Sequence, residues 1–275
     1  MPSHFKTTDG VKLAFDDQGR GLPLLCLSGL TRNRDDFDTV AGLSRRVRLI
    51  RLDYRGRGAS DHADWTTYTV AREAQDVIEL MDHLELPQAA ILGTSRGGLI
   101  AMLLAVTHRD RLAGVLLNDI GPQIEPAGLD AIKDYVGLRP TYADFDEAAA
   151  GLQKAYAESF PDVSLAQWVV FARRIYRQTR DGLDLRYDPA LRDAVLAATG
   201  PAPDLWPMFD ALDGLPVAVL RGENSNLLSA ETIDQMAQRH AGLLSATVRG
   251  RGHVPFLDEP ESVALIDAFL VELGH

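Results

Sequence analysis

The sequence predicts an α/β fold: a doubly wound, mostly parallel, eight-stranded sheet interrupted by a helical cap insertion. Two observations predict the sheet and a third the insertion. Short apolar runs bounded by Gly, Pro, Asp or charge alternate with helical patterns along most of the chain, the signature of crossover units that lay successive strands parallel. The 275 residues, 46% hydrophobic and 24% charged, suffice to bury a large core. Between Gln123 and Leu212 the strand rhythm stops, and that stretch holds helical segments, many aromatics and no convincing strand.

The elements follow in order. "FKTTDGVKLAFDD" holds two short alternating segments around Asp9-Gly10 and reads as an antiparallel hairpin. The buried strands are "LPLLCLSG", "VRLIRLD", "AAILGTS", "LAGVLLND", "PVAVLRGE" and "LLSATVRG". Helical periodicity is clearest in "TVAREAQDVIELMDHLEL", which stops before Pro87, and in "PESVALIDAFLVEL", which starts with Pro260 in its first turn. These assignments place the core in residues 1–122 and 213–275 and a helical cap in 123–212. Tyr135, Tyr142, Tyr156, Trp168, Phe171, Tyr176, Trp206 and Phe209 are the cap's aromatics. Because the insertion follows "LAGVLLND", it leaves from the carboxyl end of a strand, where α/β sheets bind ligands; it reads as a lid over an apolar pocket.

Composition narrows the functions. With 39 acidic against 28 basic residues the formal charge is −11, which repels phosphate backbones and argues against nucleic-acid partners. No apolar run approaches the roughly 18 to 20 residues of a membrane span, and "MPSHFKTTDGVKL" lacks the order of a secretory signal, so a soluble cytoplasmic protein is expected. Cys26, the single cysteine, lies in an apolar run and reads as a packed hydrophobe, not a disulfide or metal ligand. A small molecule is the expected partner; a homodimer stays open.

The chemistry starts at Gly93-Thr94-Ser95-Arg96-Gly97-Gly98, between an apolar strand and an apolar helix. A serine on so tight a turn needs glycine two residues to either side, and the geometry lifts its hydroxyl clear of the sheet above a helix N-terminus that favours negative charge. A nucleophilic serine needs a base. "TVRGRGHVPFLDEP" supplies His253 in a glycine-flanked loop after the last strand. The other histidines lie in positions without such context and receive no role.

Taken together, "LCLSGLTRNRDDF", "LDYRGRGASD", the Ser95 turn and "GRGHVPFLDEP" resemble the α/β-hydrolase fold superfamily, in its capped, serine-nucleophile form, over nearly the whole chain. The resemblance implies an oxyanion hole from the backbone N–H groups of Leu30 and Arg96, and no cofactor or metal. Ser28-Gly29 replaces the commoner His-Gly, which leaves those amides available. A serine at position 95 departs from the family's dehalogenases and epoxide hydrolases, which use a carboxylate there.

The larger departure concerns the acid that orients the histidine. By resemblance it should stand at position 226, where this chain has Asn226. An amide can accept from an imidazole but cannot stabilise an imidazolium by charge. Either Asn226 is tolerated as the third member, or it is a substitution that slows the enzyme, or the acid lies elsewhere. Asp119, ending "LAGVLLND", is the candidate elsewhere, with Glu223 behind it; Asp53 reads as a brace of its own turn. The residues leave Asn226 and Asp119 both open.

The function expected from Ser95 and His253 is hydrolysis of a small ester or lactone through an acyl-enzyme. If Arg32, Arg34 and Arg96 cluster at the pocket mouth, the substrate carries a carboxylate, as in enol-lactone or carbon–carbon bond hydrolysis; otherwise these arginines brace loops. A decayed, receptor-like ligand binder is the alternative of another class, supported only by Asn226, and a cofactor-free oxidation or perhydrolysis would share the same triad.

Overall fold

The computed structural model describes residues 2–198 and 203–274. Its eight-stranded sheet has the order β1 (Ser3–Lys6), β2 (Lys12–Gln18), β4 (Arg48–Leu52), β3 (Pro23–Leu27), β5 (Ala89–Thr94), β6 (Leu112–Asn118), β9 (Val217–Gly222), β10 (Leu244–Val248). β1 and β2 form the expected hairpin and β2 meets β4 antiparallel. The pairs from β4 to β10 are parallel. No described helix is long and apolar enough to cross a membrane.

Side chains alternate across each strand, so both faces of the parallel sheet need cover. Leu25 and Leu27 of β3 join Ile91, Leu117 and Val219 in a layer with helices α1 (Val70–His83) and α2 (Arg96–Thr107). Leu24 and Cys26 face the other way, toward Phe37 and Val40 of a 3-10 helix (Arg34–Arg45) and Phe269 and Leu270 of α9 (Pro260–Glu272). Cys26 is fully buried in this layer, and burial pushes its thiol far above the ordinary range.

Between β6 and β9 the chain forms α3 (Pro126–Tyr135), α4 (Phe145–Ala155), α5 (Leu165–Ile175), α6 (Leu191–Ala197) and α7 (Trp206–Asp210). Trp168 is fully buried in a small core of its own with Ala148, Phe160 and Leu183. Two features differ from the sequence reading. The stretch contains an antiparallel hairpin, β7 (Tyr176–Thr179) with β8 (Gly182–Leu185), joined through Arg180-Asp181. β7 is so largely exposed that its residues carry no apolar alternation to betray it. Trp206 and Phe209, grouped with the cap aromatics by sequence, pack instead on the core: Phe209 is fully buried in the α1–α2 layer, with Trp206 against it edge-on at 6.0 Å. The remaining elements are α8 (Ala230–Arg239) between β9 and β10 and short 3-10 turns at Trp65–Thr67 and Arg109–Arg111.

Candidate active site

The turn from β5 to α2 forces Ser95 to φ 50° and ψ −111°, a left-handed region that a serine rarely occupies. Neighbours hold it there: the Ser95 N–H donates to the Asn118 carbonyl at 3.0 Å, and the Ser95 carbonyl accepts from the N–H of Gly98 at 2.9 Å. The flanking glycines answer to close backbone approach. A Cβ on Gly93 would lie 2.6 Å from the Gly97 carbonyl carbon, and one on Gly97 would lie 2.1 Å from the Leu27 carbonyl oxygen. These contacts cannot yield to a side-chain rotation, so the spacing read in the sequence is a packing requirement of this turn.

His253 sits in the loop between β10 and α9, partly buried, with Nε2 2.9 Å from Ser95 Oγ. Its Nδ1 lies 2.7 Å from Asp119 Oδ2. Asp119 is fully buried just past the end of β6 at φ 56°, a conformation aspartate tolerates better than most residues. Three partners hold its carboxylate. Besides His253, the Gly222 N–H donates to Oδ1 at 2.7 Å and the Ser225 hydroxyl to Oδ2 at 2.7 Å.

The structure therefore brings Asp119 to the imidazole and leaves Asn226 away from it. Asn226 is exposed, and its side chain makes no hydrogen bond among the described residues. The reason is local: Ser225 Oγ accepts from the N–H groups of Leu227 and Leu228 at 3.2 and 3.1 Å, closing a turn that directs position 225 inward and position 226 outward. Glu223, the third candidate, is exposed and accepts from the Gly250 N–H at 2.9 Å. Asp53 is fully buried and receives the Arg34 guanidinium and the Arg34 and Ala59 N–H groups, the turn-bracing role read for it.

The residues expected at the oxyanion hole flank Ser95. Arg96 is the first residue of α2, where an N–H has no acceptor within its own helix. The Leu30 N–H has no acceptor among the described residues, while its carbonyl accepts from Arg57 Nε at 3.0 Å. Behind both lies a buried charge cluster that sequence reasoning missed. Glu73, fully buried on α1, meets Arg57 Nη1 at 2.8 Å and Arg96 Nε. Through those two arginines one carboxylate holds the Leu30 and Arg96 segments together. Ser225 was missed as well. Neither had a motif to announce it.

A cavity of about 290 Å³ opens above Ser95 and His253. Of the aromatics expected to line it, Tyr135, Tyr156, Trp168, Phe171 and Tyr176 do so. The three arginines do not cluster. Arg34 is held by Asp16 and Asp53, and Arg96 turns to Glu73 and the Tyr68 carbonyl; Arg32 alone of the three borders the cavity.

Comparison with known proteins agrees with this architecture. The chain is 37% identical over 257 residues to a 3-hydroxybutyrate-oligomer hydrolase of Cupriavidus necator, covering 90% of this chain and 87% of that one. It is 27% identical over 246 residues to a 2-(acetamidomethylene)succinate hydrolase of Mesorhizobium japonicum, covering 88% and 85%. The crystal structure of an alpha/beta hydrolase from Novosphingobium aromaticivorans superposes with a TM-score of 0.94 at 37% identity, over 99% of this chain and 98% of the other. The family model described as "Alpha/beta hydrolase family" matches residues 24–264. With this match across most of its length, the chain belongs to the alpha/beta hydrolase family.

Proposed function

We propose that this hydrolase cleaves a small carboxylic ester or lactone through an acyl-enzyme on Ser95. The observation that carries the reading is the unbroken chain from Ser95 Oγ to His253 at 2.9 Å and from His253 to buried Asp119 at 2.7 Å, at the floor of a cavity. In this mechanism His253 Nε2 takes the Ser95 proton as Oγ attacks the carbonyl, and Asp119 holds Nδ1–H and offsets the imidazolium charge. The Leu30 and Arg96 N–H groups meet the oxyanion, aided by the N-terminus of α2. His253 then protonates the leaving alkoxide. Water activated by the same histidine releases the acid.

The segment bearing α3 to α6 acts as a lid whose aromatics pack on the apolar part of a small-molecule substrate. Similarity to a protein named for 3-hydroxybutyrate oligomers supports an ester bond as the target. Enol-lactone or carbon–carbon hydrolysis is the second reading, favoured by the likeness to a 2-(acetamidomethylene)succinate hydrolase. The receptor-like reading rested on Asn226 alone, and Asn226 does not touch His253.

A fluorophosphonate probe tests the reading directly: it should label the wild-type protein and fail to label a folded Ser95→Ala variant, and hydrolysis of p-nitrophenyl acetate should disappear with it. Labelling that survives the substitution would end the assignment.

A further inference from the structure

Apart from the triad, the cavity wall carries a single guanidinium whose surroundings look built. Arg32 Nε and Nη2 donate to the two oxygens of Asp36 at 2.7 and 2.6 Å, and the guanidinium carbon stands 4.2 Å from the centre of the Phe171 ring. One edge and one face of the plane are thereby fixed. Nη1 has no partner among the described residues, although the side chain is only 18% exposed. Arg32 and Ser95 share a narrow space, since a Cβ on Gly29 would lie 3.3 Å from Arg32 Cγ and 3.9 Å from Ser95 Cβ.

Phenols complete the wall. Tyr135, Tyr156 and Tyr176 border the same cavity. Burial raises all three hydroxyls, that of Tyr135 to about 12, with Arg32 acting in the opposite direction on each. At neutral pH they are therefore uncharged donors. A pure loop brace would need the Asp36 contact alone; it would not need the same side chain to border the cavity beside Ser95 with Nη1 left without a partner among the described residues.

We propose that Arg32 is the specificity-determining residue of the Ser95 site, its free Nη1 edge receiving the carboxylate of a short ester that is itself a monocarboxylic acid. This inference rests on the acyl-enzyme reading above. A single carboxylate fits the donors: Asp36 takes Nε and one Nη2 bond, which leaves the Nη1 edge for one further anionic group. The fork supplies a directional donor, not a pool of positive charge. About 290 Å³ limits the guest to a short chain.

The test compares kcat/KM for 3-acetoxybutanoate and for its uncharged amide, 3-acetoxybutanamide, by acid release in a pH-stat. Wild-type protein should prefer the carboxylate roughly 10- to 100-fold, the discrimination expected when a charge-assisted hydrogen bond is made by one substrate and lost by the other. In Arg32→Met, which keeps an apolar stem over Phe171, the preference should collapse toward one, chiefly through KM. Arg32→Met combined with Asp36→Asn strands no carboxylate and should show the same collapse. No wild-type preference, or a fall of equal size for both substrates in both variants, overturns the proposal while labelling of Ser95 by a fluorophosphonate persists. Absence of that labelling in wild-type protein would instead remove the acyl-enzyme reading, and this one with it.

Discussion

β6 and β9 lie side by side in the sheet, and each ends in a polar turn near His253. Their fates differ. The β6 end delivers Asp119, fully buried, with its carboxylate engaged by an imidazole, a backbone N–H and a hydroxyl. The β9 end delivers exposed Asn226 to solvent and instead presents the Gly222 N–H and the Ser225 hydroxyl to Asp119. The two turns are also tied in the reverse sense, for the Asp119 N–H donates to the Leu220 carbonyl at 2.8 Å. The difference teaches that one strand end can supply the carboxylate beside the imidazole while its neighbour supplies the donors that hold that carboxylate in place.

The largest effect expected from breaking this arrangement comes from Asp119→Asn. The amide keeps the shape but loses the charge and offers an NH₂ to Nδ1, so kcat should fall by roughly three to four orders of magnitude, by analogy with the corresponding exchange in a serine protease. Steady-state kinetics on p-nitrophenyl acetate checks it, and full turnover in the variant would show that the acid lies elsewhere.

Next in size is Ser225→Ala. It removes one of the three groups on the Asp119 carboxylate and leaves the others, a loss of about 1 to 2 kcal/mol and so roughly 5- to 30-fold in kcat. Because both residues act through His253, the double variant with Asp119→Asn should be little worse than Asp119→Asn alone. Additive losses would show that Ser225 works by some route other than the carboxylate.

The sequence made the Ser95 turn legible because it depends on backbone contacts that only glycine permits: a Cβ on Gly97 would lie only 2.1 Å from the Leu27 carbonyl oxygen. His253 was legible from its loop and its place after the last strand. The residue that meets its Nδ1 was not, because Asp119 and Asn226 occupy equally plausible strand ends, and the choice between them lies in which way the Ser225 turn points. Strands buried on both faces announced themselves as apolar runs. The β7–β8 hairpin did not, since β7 is mostly solvated and its identity rests on pairing with β8 and not on its own side chains. Trp206 and Phe209 were read with the cap because aromatic content cannot say which layer a short helix joins. Glu73 was hidden in a helical pattern where its neighbours Ala74 and Val77 signalled only a buried face, and a buried carboxylate there makes sense solely with Arg57 and Arg96 in view.

The smallest effect should come from the position where the resemblance placed the acid. If Asn226 held the histidine, Asn226→Asp would restore a counter-charge and raise kcat by two to four orders of magnitude. The structure leads to the opposite expectation, for the side chain is exposed and His253 Nδ1 is already occupied by Asp119 at 2.7 Å. A carboxylate added at position 226 would sit in solvent, where screening reduces its pull on the imidazole to little. Turnover should stay within about two-fold of wild type, and melting temperature should shift little, as for other surface exchanges. A large gain in kcat would mean that the β9 loop can turn position 226 inward. In that case Asp119→Asn with Asn226→Asp should recover activity lost by Asp119→Asn alone, whereas two strand ends with fixed roles predict no recovery.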